Sequence, residues 1–381
     1  MPDFDVVLLG ATGFTGGLTA HYLAEHGPAG LRWAIAGRNQ GRLEEVAAGL
    51  DGAAPELLHA DVEDPASLAA LAARARVVIT TVGPYLRYGE PLVRACAEAG
   101  TDYVDLTGEP EFVDQMYVRH HRTAVETGAR IVHACGFDSI PHDLGALFAV
   151  HQLAAEGPVR LRGVVRARGT LSGGTFHSAL DQFARARQLR EAHRARRELE
   201  PRGTRSSRAV PGRPGRDPLL GYWLLPLPTI DPQIVARSGA TVAGYGAGFR
   251  YSHFAGTKTL RYAAGGAAGL GVLALGAQVG PVRRWLGKRL PQGVGPDEAT
   301  RAKGWFRVDF VAEGDQRMVH TRVSGGDPGY GETAKMLAES ALCLAFDDNP
   351  PTAGCVTTAQ AMGDALTKRL QAAGIRFEVV S

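Results

Sequence analysis

The sequence predicts an α/β protein: a doubly wound parallel sheet followed by a second, α+β domain. Three observations carry this. A glycine-rich turn follows the first apolar run, six short apolar runs alternate with helical stretches, and that rhythm breaks near residue 150. The 381 residues suffice for two domains, expected at 1–150 and 151–330, with helices and a final strand over 331–381.

Asp5 to Leu9 is an apolar strand that enters Gly10-Ala-Thr-Gly13-Phe-Thr-Gly16, and Leu18 to Leu23 continues at helical spacing. Gly10 permits a turn that a β-carbon would obstruct, Gly13 lets the chain approach a pyrophosphate, and Gly16 lets the helix pack on the strand. The helix N-terminus then offers unpaired N–H groups to phosphates. This is a dinucleotide-binding entrance, with Thr12, Phe14 and Thr15 in the same turn.

Arg32 to Ala36 is the second strand and Arg42 to Ala48 a helix. Glu56 to Ala60 is the third strand, and Pro65 to Ala73 a helix with Asp64 as N-cap and Pro65 at its first position. Arg76 to Val82 is apolar and β-branched without alternation, as a central parallel strand covered on both faces requires. A helix from Pro91 to Ala99 stops at Gly100. Asp102 to Leu106 is the fifth strand, Phe112 to Glu126 a helix, and Arg130 to Ala134 the sixth strand. The pattern is that of a Rossmann-type sheet.

In the second half, Val159 to Thr170 reads as a strand and Gly174 to Arg197 as a helical stretch. The Arg/Gly/Pro/Ser segment from Pro201 to Asp217 lacks apolar periodicity and is expected to be mobile. Trp305 to Val311 and Gln316 to Val323 alternate around Glu313-Gly314-Asp315 as a hairpin. Helices at Glu332–Phe346 and Thr358–Ala373 precede a last strand, Ile375 to Val380.

A net charge of +3 is too small to indicate nucleic-acid binding. Cys96, Cys135, Cys343 and Cys355 form no CxxC or Cys/His cluster, so neither a disulfide framework nor a metal site is expected. A reducing cytoplasm fits, and the first strand begins too early for a signal peptide.

Arg38 ends the second strand where NAD enzymes place an acid, and a guanidinium there pairs with a 2′-phosphate; Asn39 and Arg42 are near enough to help. NADPH is therefore the expected cofactor. Asp61 and Val62, just past strand three, flank the adenine position, though Asp61 suits a helix cap equally well. Thr81, Gly83 and Tyr85 follow strand four at the ligand-binding end of the sheet. Tyr85 is the candidate proton donor, or else a ring that packs on the cofactor. The run His133-Ala-Cys135-Gly-Phe-Asp138-Ser139 brings Cys135 to the cofactor and makes Asp138 the second catalytic candidate. Asp138 and Asp143 could equally cap the helix starting near Pro141. A Cys/His nucleophile would need His133 and Cys135 on one side, and a buried strand cysteine is usually inert.

No tyrosine is followed four positions later by lysine, which argues against a simple ketone reductase. Ser172-Gly-Gly-Thr175 opens a helix and could serve an anion or enolate, or merely cap that helix, and His177 lies one turn on. Ala263 to Val282 is uncharged, holds six glycines and has the length of a bilayer span; a soluble Gly-rich helix and peripheral lipid contact are the alternatives. Arg185 to Arg216 holds eleven arginines and no aromatic residue to stack on bases, so it is either a solvated stretch or a flap that steers an acidic carrier protein.

Together these pieces resemble the saccharopine dehydrogenase-like oxidoreductases over nearly the whole chain. The resemblance lies in the Gly10–Gly16 turn, Ala36-Gly-Arg38, Thr80-Thr-Val-Gly-Pro-Tyr85, Asp105-Leu-Thr-Gly-Glu109, Cys135-Gly-Phe-Asp-Ser139, Ser172–Thr175, Gly326-Asp-Pro-Gly-Tyr330 and Ala361-Met-Gly-Asp-Ala365. Within that group the chain looks most like the trans-acting enoyl reductases, which use NADPH to reduce a carbon–carbon double bond in an acyl chain carried by a polyketide synthase. The resemblance implies hydride addition to the β-carbon of an unsaturated thioester, hydrogen bonds to the enolate and a proton at the α-carbon. An acyl carrier protein or polyketide synthase is the implied partner. Saccharopine dehydrogenase-type C–N chemistry, which would need arginines such as Arg166 or Arg168 near the nicotinamide, is the alternative reaction. A non-catalytic NADP-binding scaffold is the other alternative.

Overall fold

The computed structural model describes residues 2–52, 54–169, 184–201, 203, 205–287, 295–315 and 317–381. Its first sheet is parallel and contains β1 (Phe4–Leu9), β2 (Trp33–Gly37), β3 (Glu56–His59), β4 (Ala75–Thr80), β5 (Asp102–Asp105) and β6 (Arg130–Val132). Their spatial order is β3-β2-β1-β4-β5-β6, and β14 (Gly354–Val356) is added in parallel beside β6. Every residue of β1 is buried, with Leu8 between Ile35 of β2 and Ile79 of β4, which accounts for its unbroken apolar run. The winding reverses between β1 and β4, which opens a crevice at the carboxyl ends of these strands.

The second sheet is mixed. It holds β7 (Pro158–Arg168), β8 (Ser206–Ala209), β9 (Gly215–Arg216), β10 (Trp223–Pro226), β11 (Gly248–Thr257), β12 (Trp305–Glu313), β13 (Met318–Gly325) and β15 (Arg376–Val379). The order is β15-β13-β12-β7-β11-β10-β9, with β8 also against β11. β12 and β13 form the expected antiparallel hairpin, whereas β7 and β11 run parallel. Within the 201–217 stretch, β8 and β9 are edge strands, held by backbone pairing that side-chain periodicity does not reveal. The predicted 358–373 helix is two helices, Thr358–Ala361 and Gly363–Ala372, broken where Gly363 takes φ +46°.

Two buried helices join the sheets. The Ile140–Leu153 helix lies against the second sheet so closely that a Cβ on Gly145 would come within 2.3 Å of the Phe310 ring. The Gly331–Phe346 helix covers the first sheet, and its Glu339 accepts a hydrogen bond from Tyr22 at 2.7 Å. A continuous core therefore runs from Leu8 and Ile79 through Leu144 and Leu147 to Phe306 and Val323. The four cysteines are buried and unpaired in disulfides.

Candidate cofactor site and active site

The crevice is built by the first turn. Gly10 has φ +98°, and a Cβ there would sit 2.7 Å from Thr81 Oγ1, whose hydroxyl donates to the Gly10 carbonyl at 3.1 Å. A Cβ on Gly16 would lie 2.1 Å from that same carbonyl, so only glycine lets the Phe14–His26 helix approach. Gly13 differs: its N-cap position makes no side-chain bond, and a Cβ would meet nothing nearer than Gly10 O at 3.5 Å. The space above Gly13 and the first helical N–H groups are thus left open for a phosphate. Thr12 and Gly13 are exposed, and Phe14 and Thr15 are half-buried in the same turn. Thr15 is not spare, because its carbonyl accepts the Thr19 hydroxyl at 2.9 Å. Phe14 is held edge-on by Tyr330 at 4.9 Å.

A cavity of about 310 Å³ continues from this turn along the ends of β2 and β3 and is lined by Thr12, Arg38, Asp61, Val62, Gly83 and Tyr88 among others. Arg38 is exposed, and among the described residues no carboxylate pairs with it. Asn39 caps the next helix by accepting from the Arg42 backbone N–H at 3.0 Å. Asp61 is not a helix cap: Asp64 caps the Pro65–Arg74 helix, while Asp61 Oδ1 closes a turn by accepting from the Glu63 N–H at 3.0 Å. The residues present fit a phosphorylated dinucleotide, with an open anion cradle at Gly13 and an unpaired guanidinium at Arg38.

Two of the expected site residues, Tyr85 and Cys135, have buried side chains. Tyr85 is buried against Phe112, and its hydroxyl donates to the Thr80 carbonyl at 3.1 Å; desolvation and then the Asp105 charge push its pKa well above the ordinary value. In this arrangement its hydroxyl is engaged by the backbone, and its ring edge would lie 3.6 Å from a Cβ on Gly83. Tyr88, one turn later, is the tyrosine that lines the cavity. Cys135 is wholly buried in the core, its thiol donates to the Val132 carbonyl at 3.4 Å, and burial raises its pKa.

The Asp105-x-Thr-x-Glu109 motif, with no assigned role from sequence, proves to be scaffolding. Asp105 accepts from the Tyr103 hydroxyl (2.9 Å), the Thr107 N–H (3.0 Å) and the Ala134 N–H (2.9 Å), and pairs with His133 Nδ1 at 2.7 Å. His133 is therefore bound away from Cys135. Glu109 accepts from the Tyr85 and Leu86 N–H groups at 3.1 and 2.8 Å and so anchors the turn after β4.

Asp138 is placed by strain. Between β6 and the 140–153 helix, Ala134 has φ +61° and Ser139 φ +136°, conformations costly for residues with a β-carbon. The kinked loop lays the half-buried Asp138 carboxylate against the end of β5, where a Cβ on Gly108 would be 3.1 Å from Oδ2. Desolvation, with the nearby Asp231 charge adding to it, raises its pKa to about 6. Neither Asp138 nor Asp143 caps the helix. Its N-cap is Ser139, and Asp143 instead accepts from Thr358 Oγ1 (2.7 Å) and the Ala359 N–H (2.8 Å).

Behind Asp138 lies a buried group that sequence reasoning missed: His142, Asp231 and His253, whose ligating atoms all fall within 4.8 Å of one another. They come from a helix, a second helix and β11, too far apart in sequence for any spacing to show. His142 Nδ1 is 2.8 Å from Asp231 Oδ1, and the Tyr251 hydroxyl is 2.9 Å from His253 Nδ1. Burial lowers the His253 pKa to about 4, while the histidines hold Asp231 ionised, well below the usual carboxylate range despite its desolvation.

In the basic stretch, Arg196 is core: buried, 2.5 Å from Asp114 and also bonded to Glu200. Arg190, Arg194 and Arg197 are exposed, and Arg190, Arg197, Arg205 and Arg208 border a groove of about 920 Å³. Arg166 is held by Tyr222, with its guanidinium bonded to the hydroxyl at 2.8 Å, and Arg168 is exposed at the end of β7. Ser172–Thr175 and His177 lie outside the described residues.

Residues 6–132 match the sequence profile of the saccharopine dehydrogenase NADP binding domain. Over 99% of its length the chain is 41% identical to a Mycobacterium tuberculosis protein whose name assigns it provisionally to the trans-acting enoyl reductases, and covers 97% of that protein. It is 38% identical to the trans-acting enoyl reductase of Mycobacterium bovis, covering 98% of this chain and 97% of that protein. In fold it is similar to the apo saccharopine dehydrogenase (L-Glu forming) of Saccharomyces cerevisiae, with a TM-score of 0.54 and 12% identity over 99% of both chains.

Proposed function

Because this chain belongs to the saccharopine dehydrogenase-like NADP-binding family together with the mycobacterial trans-acting enoyl reductases, and is accordingly an NADP(H)-dependent oxidoreductase, we propose that it reduces the α,β-double bond of an unsaturated acyl thioester. The observation that carries the reading is the place of Asp138, a half-buried carboxyl on the kinked loop after β6, 3.1 Å from where a Cβ on Gly108 beyond β5 would sit, where burial and Asp231 raise its pKa. Bound NADPH would supply the hydride to the β-carbon. Gly10, Thr12, Gly13, Phe14, Thr15 and Gly16 would hold the pyrophosphate, Arg38 the 2′-phosphate, Asp61 and Val62 the adenine side, and Thr81 and Gly83 the rim toward the reacting end. Asp138 would then give its proton to the substrate α-carbon and take another from water before the next cycle.

A carboxyl with a pKa near 6 is a better carbon acid-catalyst near neutrality than an ordinary aspartate, because a larger fraction carries the proton. Of the arginines the C–N alternative would need, Arg166 is already bonded to Tyr222 and Arg168 is exposed at the end of β7. We read the partner as an acidic acyl carrier protein on the Arg190/Arg197 groove, and the setting as the cytoplasm. The test is NADPH oxidation with a 2-enoyl pantetheine thioester and, separately, with a 2-oxo acid plus amino acid. Turnover of the thioester alone supports the reading; turnover of the second pair alone assigns the C–N reaction, and binding without turnover of either assigns the scaffold.

A further inference from the structure

The Leu260–Gln278 helix breaks the pattern of the rest of the molecule, in which apolar helices are buried. Only 12% of its apolar stretch is buried, and Val272 and Leu275 are 71% and 74% exposed. Exposed Leu260 and Tyr262 begin it, and exposed Val279, Val282 and Trp285 continue the apolar surface into the Gly280–Gly287 helix. From Lys258 to Pro296 there is no acidic residue, while six cations flank the apolar run: Lys258, Arg261, Arg283, Arg284, Lys288 and Arg289. Exposed apolar surface of this extent has a function, and cations at both ends with aromatic residues beside them suit anionic headgroups.

Length alone would allow a crossing, since nineteen residues extend about 28 Å against about 30 Å of hydrocarbon. The attachment of both flanking segments to the folded body argues against it. β11, which feeds the helix, is paired with β7 over eight positions in the second sheet. After the excursion the chain returns to the cofactor turn: a Cβ on Gly295 would touch the Phe14 ring at 2.1 Å, and the Arg301 guanidinium lies 5.6 Å from the same ring. Both ends are thus fastened to one folded body. The eight residues of the second helix extend about 12 Å and cannot recross a bilayer.

We propose that residues 260–287 form a monotopic membrane anchor, with the apolar helix lying in the headgroup–acyl boundary of an anionic bilayer and the flanking cations on its phosphates. Glycine and alanine contribute little transfer free energy, so the association is reversible and needs both the protruding Leu, Val and Trp side chains and the charge. The proposal stands on exposure, charge and chain path and is independent of the reaction assigned above.

Flotation of the full-length protein with phosphatidylcholine vesicles, and with vesicles in which about a quarter of the lipid is phosphatidylglycerol, tests it. The expected result is flotation with the anionic vesicles, several-fold weaker with neutral ones and weakened by salt. A Val272→Glu/Leu275→Glu variant, altered only at exposed positions, is expected to stay in the dense fraction with unchanged melting temperature and NADPH affinity. Absence of flotation of the wild type, or equal flotation of the variant, overturns the proposal. Sedimentation without lipid separates the other occupants: a wild-type dimer that the variant abolishes, in a protein that does not float, would assign this face to self-association.

Discussion

His142 Nδ1 lies 2.8 Å from Asp231 Oδ1 in a site where both side chains are buried, and Asp138 stands four residues before His142 on the loop that leads into its helix. His142 keeps Asp231 ionised behind Asp138, and although His142 itself acts in the opposite direction, the Asp231 charge raises the Asp138 pKa. That charge works with desolvation to hold the proton on Asp138.

Asp138→Asn is therefore expected to lower kcat by roughly 100-fold or more, the range for loss of a positioned general acid, while NADPH affinity stays within about twofold. The pH profile supplies a second measurement. The acid form of Asp138 is the donor, so kcat/KM should fall as pH rises above about 6, approaching tenfold per pH unit. A flat profile, or an active Asp138→Asn variant, would move the donor elsewhere.

Arg38→Ala should weaken NADPH binding by about 10- to 100-fold, the effect of removing a charge-assisted hydrogen-bond pair of about 1.5–3 kcal/mol, and should leave NADH binding nearly unchanged. Titration of both cofactors measures this directly. Equal losses for both would show that Arg38 supports the fold of the crevice and not the 2′-phosphate.

The crevice was legible because its constraints are local. Gly10 and Gly16 meet within one turn, and each leaves a glycine in the sequence for a steric reason visible as a 2.7 or 2.1 Å clash. The catalytic end was legible only in part, because it is assembled from distant elements. Nothing near Tyr85 in sequence shows that its ring turns inward onto Phe112, and nothing links His142 to Asp231 and His253 before the Ile140–Leu153 helix is packed under β11. β14 escaped for another reason: Gly354-Cys-Val356 is too short for any period, and its place beside β6 is set by the backbone of Arg130 to Val132.

The buried histidine gives a stability prediction with a definite sign. His253 titrates at about 4 in the folded protein against an ordinary 6.5, because burial disfavours its charged form. A group with a depressed folded pKa contributes stability above the unfolded value and loses it as pH falls toward the folded one. Thermal stability should therefore decline between pH 6.5 and about 4, by up to about 3 kcal/mol for a shift of this size. His253→Gln, which has no proton to gain, should flatten that decline relative to its own value at pH 7. A wild-type melting temperature constant over the window would remove the argument.

Arg196 and Arg197 are neighbours in sequence with opposite roles, and separating them tests the carrier partner. Arg196 is buried on Asp114, so Arg196→Ala removes the guanidinium from a core carboxylate that keeps only Gln233 and His193 beside it and should destabilise the fold by about 3–5 kcal/mol, which makes it useless as a docking probe. Arg190, Arg194 and Arg197 are exposed on the same helix, Arg190 and Arg197 bordering the groove and Arg194 pairing with Glu198 beside it, and replacing all three by Gln removes three positive charges from this helix while leaving the Arg196–Asp114 pair intact. If an acidic carrier protein docks there, KM for a carrier-bound enoyl substrate should rise about five- to tenfold at low salt and much less when salt screens the attraction, because such charges act mainly on the rate of encounter. A free pantetheine thioester makes no such encounter, so its KM should not move. A triple variant that alters both substrates equally, or neither, would show that this arginine face has no part in carrier recognition.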